Sequence, residues 1–163
     1  MPNVKTTITG INRKMLRDHD QDTDKECNCR KKEKCPVEGK CLQNKIIYQA
    51  EIINKSGETK LYVGSSGRTF KDRWNGHKAT FKNKLTKSST LSTYFWKTKE
   101  TDNQEPTIKW KILHRVKSHT NGKNGCKICN LERYEIAKSD KRRTLNKRSE
   151  LKSSCPHFRS LYF

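Results

Sequence analysis

The chain has 163 residues, enough for one ordinary domain, but only 30% are hydrophobic and 33% are charged, so its core must be small. Lys and Arg outnumber Asp and Glu by 37 to 17, a formal net charge of +20 that attracts polyanions before any specific contact forms. No apolar run approaches the roughly 18 residues a spanning helix needs, and no signal-peptide pattern opens the sequence, so the expectation is a soluble intracellular protein with nucleic acid and no membrane as partner.

Residues 1–26, ending "RDHDQDTDKE", alternate in charge without hydrophobic periodicity and are expected to form a flexible N-terminal segment. Residues 27–44 contain "CNCRKKEKCPVEGKC", with Cys27, Cys29, Cys35 and Cys41; a second group, Cys126, Cys129 and Cys155, ends in "CPH" with His157. Seven cysteines in an intracellular chain argue for metal over disulfides, because the odd count leaves one unpaired in any all-disulfide scheme. Seven sulfurs and one imidazole make eight ligands, the number two closed tetrahedral Zn²⁺ sites require. The first group can fill one site alone and the second, with His157, another; mixed pairings stay open. The lysines and arginines around the sulfurs favour the metal-binding thiolate.

Residues 46–53 and 59–65 are rich in Ile, Tyr and Val on either side of "NKSGET", which predicts a β-hairpin. In "RTFKDRWNGHKATFK", Phe70, Trp74, His77 and Phe81 recur at helical spacing, and Thr69 with Asp72 supplies a capping box with a shortened acid, so a helix starts near Phe70. A second helix covers "STLSTYFWKTKE", with Leu91, Phe95 and Thr98 on one side. In "TIKWKILHRV", Ile108, Trp110, Ile112 and His114 alternate with lysines and Leu113, as a half-buried third strand of the hairpin's sheet would. The turn "TNGKNG" leads to a third helix in "CKICNLERYEIAKSD", read from Ile128, Leu131, Tyr134 and Glu135. Residues 140–163 are basic and irregular, the last of them (151–163) a tail carrying the Cys-Pro-His run. The predicted fold is a small α+β domain: a three-stranded, mainly antiparallel sheet flanked by helices, with a cysteine-rich zinc-binding extension.

The run "IIY", then "YVG" with its tyrosine fourteen residues after the first, then an Arg with a His four residues beyond it, resembles the GIY-YIG nuclease family. Glu132 in "NLERYEI" and Asn146 in "TLNKR" follow in the family's order. Ile46 stands where the first signature has glycine, and Val63 where the second has isoleucine. The resemblance covers residues 45–150. It is closest to the nuclease domain of Penelope-like retroelements, through "CNCRKKEKCPVEGKC", "YVGSS", "FKDRWNGHKATF", "LSTYFWKTK" and "LNKRSEL".

The resemblance implies a metal-dependent DNA endonuclease that nicks target DNA to prime retroelement insertion, working in the nucleus with a reverse transcriptase on the same or another chain. It also implies the assignments: Tyr48 activates water, Tyr62 bonds phosphate or water, Gly64 allows close backbone approach, Arg73 stabilises the transition state, and Asn146 belongs to the same set. The residues themselves carry part of this chemistry. Arg73 and His77, four apart on a helix, share one face. A lone carboxylate at Glu132 suits Mg²⁺ or Mn²⁺, which keeps much of its water shell. A tyrosine near pKa 10 acts as a base at neutral pH only if neighbouring charge favours its phenolate, so His77 competes for the role. The contrasting reading is a catalytically inactive, zinc-stabilised nucleic-acid-binding module derived from such a nuclease, with the same charge and metal content.

Overall fold

The computed structural model describes residues 26–86, 88–117, 126–152 and 155. The predicted flexible segment apart from Glu26, the turn "TNGKNG" and the proposed ligand His157 lie outside the described residues.

Three strands, β1 (Ile46–Ile53), β2 (Thr59–Ser66) and β3 (Thr107–Arg115), form one antiparallel sheet in the order β2-β1-β3. Asn54 makes the hairpin turn: its side-chain oxygen accepts from Glu58 N at 2.8 Å, while Gly57 takes a φ of +84°, which glycine adopts without a Cβ penalty. Strand β1 is central, and its period of two divides the core. Ile46, Tyr48, Ala50 and Ile52 face a cluster with Phe70 and Leu91; Ile47 faces another with Val63, Ile128 and Ile136.

Helices α1 (Phe70–Lys82) and α2 (Thr90–Asp102) cover the first face, and α3 (Lys127–Lys138) covers the second. Helix α1 begins where the sequence places it, with the Thr69 hydroxyl accepting from Asp72 N at 3.2 Å and donating to the Asp72 carboxylate at 2.8 Å. Helix α2 opens on a capping box between Ser89 and Ser92 and buries Leu91, Ser92, Phe95 and Thr98. In α3 the inward residues are Ile128, Cys129 and Ile136; Tyr134 is not among them, being 57% exposed with Lys138 over its ring. None of the described helices is long and apolar enough to cross a membrane.

The alternation read into β3 breaks at its end. Tyr48 pairs with Ile112 but Ile47 with His114, a bulge at Leu113. His114 is thereby turned to α3, where its Nε2 meets the Glu135 carboxylate at 2.6 Å, instead of sharing a face with Ile112. After α3 the chain returns along the outer edge of β2: Leu61 N donates to Arg143 O at 2.8 Å, and Leu145 N to Leu61 O at 2.7 Å. This short parallel bridge covers an edge that would otherwise offer its backbone to other strands.

The cysteine-rich stretch packs into the first core cluster through Cys35, Val37 and Cys41. It also caps α1, since Phe70 N donates to Gln43 O at 2.9 Å and Lys71 N to Cys41 O at 2.8 Å. Together with Thr69 on Asp72 N, these bonds satisfy three backbone donors that a helix N-terminus leaves without partners.

Candidate active site

Tyr48 lies at the middle of the first core face, with no exposed surface, under the helix that carries Arg73 and His77. Its hydroxyl accepts from Arg73 Nε at 3.0 Å and lies 2.8 Å from His77 Nε2. With Arg73 donating to the oxygen, the phenol's own proton is free for His77; in that arrangement Nε2 accepts and the ring proton sits on Nδ1. The ring of Tyr48 is held by Phe70 at 5.7 Å, His77 at 5.8 Å and Trp110 at 6.0 Å. Gly64 faces Tyr48 across the β1–β2 ladder, and a Cβ there would stand 2.5 Å from the Tyr48 hydroxyl. The residue that needs this glycine is therefore the neighbouring tyrosine itself.

Arg73 is exposed as a residue although its Nε reaches inward, and its guanidinium also lies near the Tyr62 hydroxyl. Burial opposes its charge, but the two phenolic oxygens outweigh burial and raise its pKa. As an exposed residue it is open to an anion from solvent. Burial pushes the Tyr48 phenol well above its usual range, and Tyr62 adds to this while Arg73 acts the other way. Tyr62 is raised for the same first reason. The condition for a phenolate base is thus not met by the protein's own charges.

Burial and then Arg73 depress His77 to about 3, so the ring is neutral at physiological pH. Below pH 6.5 the unfolded chain takes up a proton that the folded His77 refuses until about pH 3. The stability His77 contributes is therefore whole above pH 6.5 and drains as pH falls toward 3. Urea midpoints measured across this window should fall less steeply for His77→Gln, which can keep a bond to Tyr48; equal slopes would mean that His77 titrates normally.

Glu132 approaches from α3, on the other side of the sheet. Its Oε2 accepts from the Ser65 hydroxyl at 2.9 Å, and among the described residues no cation lies within ion-pair distance of it. Burial raises its pKa, Ser65 opposes, and the like charge of Glu150 adds to the rise while Arg73 lowers it. A half-buried carboxylate held by a hydroxyl, with no ion-pair partner among the described residues, is a donor set that fits a hydrated divalent cation. Asn146 has another task. Its Oδ1 accepts from Val63 N at 2.8 Å, and its Nδ2 donates to Val63 O at 2.8 Å and to Glu150 Oε2 at 2.5 Å. Both amide atoms are committed, so Asn146 continues the ladder beside Tyr62 and Gly64 and positions them. Sequence reasoning missed Ser65 and Glu150, whose only signal is their place in the fold.

The first cysteine group converges. The sulfurs of Cys27, Cys29, Cys35 and Cys41 all lie within 4.8 Å of one another, Cys41 being 3.6 Å from Cys27 and 3.7 Å from Cys29. These separations exceed a disulfide bond and match the edge of about 3.8 Å of a tetrahedron whose Zn–S bonds are about 2.3 Å. Burial resists ionisation of Cys35, but the N–H groups of Val37 and Gly39 donate to its sulfur, and the balance brings the thiol down to about 7. Burial pushes Cys41 up to about 12. Cys126, Cys129 and Cys155 form a second group with sulfurs equally close, so this site has three described ligands. Each group could hold a metal such as zinc.

No protein-family model matches the chain, and no curated protein or solved structure matches it significantly.

Proposed function

We propose that the chain is a metal-dependent DNA endonuclease of the GIY-YIG type, hydrolysing a phosphodiester at Tyr48, Tyr62, Arg73, His77 and Glu132. The observation that carries the reading is the double contact on the Tyr48 hydroxyl, with Arg73 at 3.0 Å and His77 at 2.8 Å, beneath an arginine whose outer face is exposed.

A phosphate docking on the outer nitrogens of Arg73, with Tyr62 beside it, brings phosphorus next to Tyr48. Its negative charge offsets Arg73, one of the two causes that depress His77, and so makes the imidazole a better acceptor. Tyr48 has no exposed surface in the free protein, so docking must also admit the attacking water to the Tyr48 hydroxyl, which takes the water's proton as its own passes to His77 Nε2; the new P–O bond forms and the bond to the leaving 3′ oxygen breaks. Arg73 stabilises the charge that builds on the non-bridging oxygens. Glu132, oriented by Ser65, would hold the Mg²⁺ or Mn²⁺ whose chemistry when bound is to neutralise the leaving oxygen. Asn146 keeps β2 in place and takes no part in proton transfer.

The resemblance to Penelope-like nucleases extends the proposal. The 3′ hydroxyl released by nicking would be extended by a reverse transcriptase on the same or another chain, in the nucleus, and structural Zn²⁺ would sit in the cysteine groups.

Zinc-loaded protein with Mg²⁺ or Mn²⁺ should nick supercoiled plasmid, and Tyr48→Phe and Glu132→Ala should each lose the activity by about a hundredfold or more. If the wild type binds plasmid at low salt and never nicks it, the inactive zinc-stabilised binding module is the better account.

A further inference from the structure

A concavity lies beside the proposed catalytic cluster. Pro36 and Glu38 from the cysteine loop, Trp74 from α1, and Ile108, Lys109 and Trp110 from β3 enclose about 480 Å³, a size ordinary for small-ligand sites. Two of the chain's three tryptophans line it, both half-buried. Trp74 directly follows Arg73. The Trp110 ring lies 5.4 Å from the His77 ring, 5.7 Å from Phe70 and 6.0 Å from Tyr48, so one aromatic ring separates the slot from the reacting groups.

We propose that this slot binds an unpaired nucleobase of the DNA strand next to the cleaved phosphate. Flat apolar walls of two indoles, a proline and an isoleucine suit a planar ring, since base-on-aromatic stacking tolerates any base. Charge for the backbone comes from Lys78, which holds its ammonium 3.6 Å over the Trp74 ring, whereas the Lys109 side chain, between Ile108 and Trp110 on β3, points to the opposite face of the sheet. Glu38, exposed at the mouth in a left-handed turn with φ of +52°, is an acceptor for the exocyclic amine of cytosine or adenine. An anion-attracting lysine beside a stacking surface fits a nucleotide better than an uncharged aromatic ligand, and the net charge of +20 favours the same partner. A paired base cannot enter, so the slot selects substrates that are frayed, gapped or locally melted near the cut. The inference rests on the proposed DNA-cleaving function for its choice of occupant.

The test is a short oligothymidylate carrying a single 2-aminopurine, titrated with the zinc-loaded full chain without added Mg²⁺, beside the same probe in a full duplex. Stacking in the slot quenches the single-stranded probe. Trp74→Ala should weaken its binding about tenfold or more, leave duplex affinity within about twofold, and be rescued by Trp74→Phe, which keeps a stacking face. Lys78→Ala, which removes the ammonium over the Trp74 ring, weakens the same binding. A bound but unquenched probe, equal losses on strand and duplex in Trp74→Ala, or no rescue by phenylalanine would each overturn the slot. Quenching without plasmid nicking would retain the slot and reject the catalytic reading; nicking without quenching would do the reverse.

Discussion

Gly64→Ala is expected to bring nicking to background and to destabilise the fold by about 2 kcal/mol, although it adds only one methyl group. The added Cβ would stand 2.5 Å from the Tyr48 hydroxyl, 2.6 Å from the ring carbon bearing it and 3.1 Å from the Tyr62 ring. Neither ring has an easy retreat, because Tyr48 is enclosed by Phe70, His77 and Trp110, and Tyr62 faces His77 at 6.2 Å. Any shift of the phenol away from β2 breaks its bonds to Arg73 and His77 together. Removing the hydroxyl relieves only the shorter contact, so Tyr48→Phe should not restore the stability of Gly64→Ala. Thermal melts and plasmid nicking of the single and double variants measure both effects. An alanine variant that melts and nicks like the wild type would show that the Tyr48 hydroxyl does not occupy this position.

Those features that depend on a few neighbouring residues were legible before the fold was known. Runs rich in Ile, Tyr and Val around a turn marked β1 and β2, alternation marked β3, Thr69 and Asp72 marked the start of α1, and Leu91, Phe95 and Thr98 gave the inner face of α2. Arg73 and His77 meet on Tyr48 because four residues are about one helical turn. What resisted reading was contact between distant segments. Spacing alone does not say that Asn146 spends both amide atoms on Val63, because the pairing joins residues 83 apart in sequence. The bulge at Leu113 likewise turns His114 toward α3 against its alternation, a choice made by pairing with β1 and not by the strand itself. Gly64 was expected to allow close backbone approach, and what approaches it is a side chain from the next strand.

The cysteine loop is where distant contact bears most on chemistry, and there the second large effect is expected. Replacing Cys35 and Cys41 by serine should lower zinc content by about one equivalent, because a closed tetrahedral site does not survive the loss of half its thiolates. A structural zinc contributes about 10 kcal/mol or more of folding free energy, comparable to the entire stability of a typical domain, so a large fall in melting temperature should follow. The loss does not stop at the loop. Cys41 O and Gln43 O accept from the first backbone donors of α1, and Arg73 lies in that first turn. With the loop unmoored, Arg73 loses its fixed reach to Tyr48, and a displacement near 1 Å at a catalytic group can cost about a hundredfold in rate. Pro36 and Glu38 leave the wall of the aromatic slot in the same event. Nicking and quenching of the single-stranded probe should therefore fail together in the double variant, even at a temperature where circular dichroism still reports the sheet. If zinc content and melting are unchanged, the four sulfurs do not form a metal site; if zinc is lost while nicking persists, the loop does not hold α1 in place.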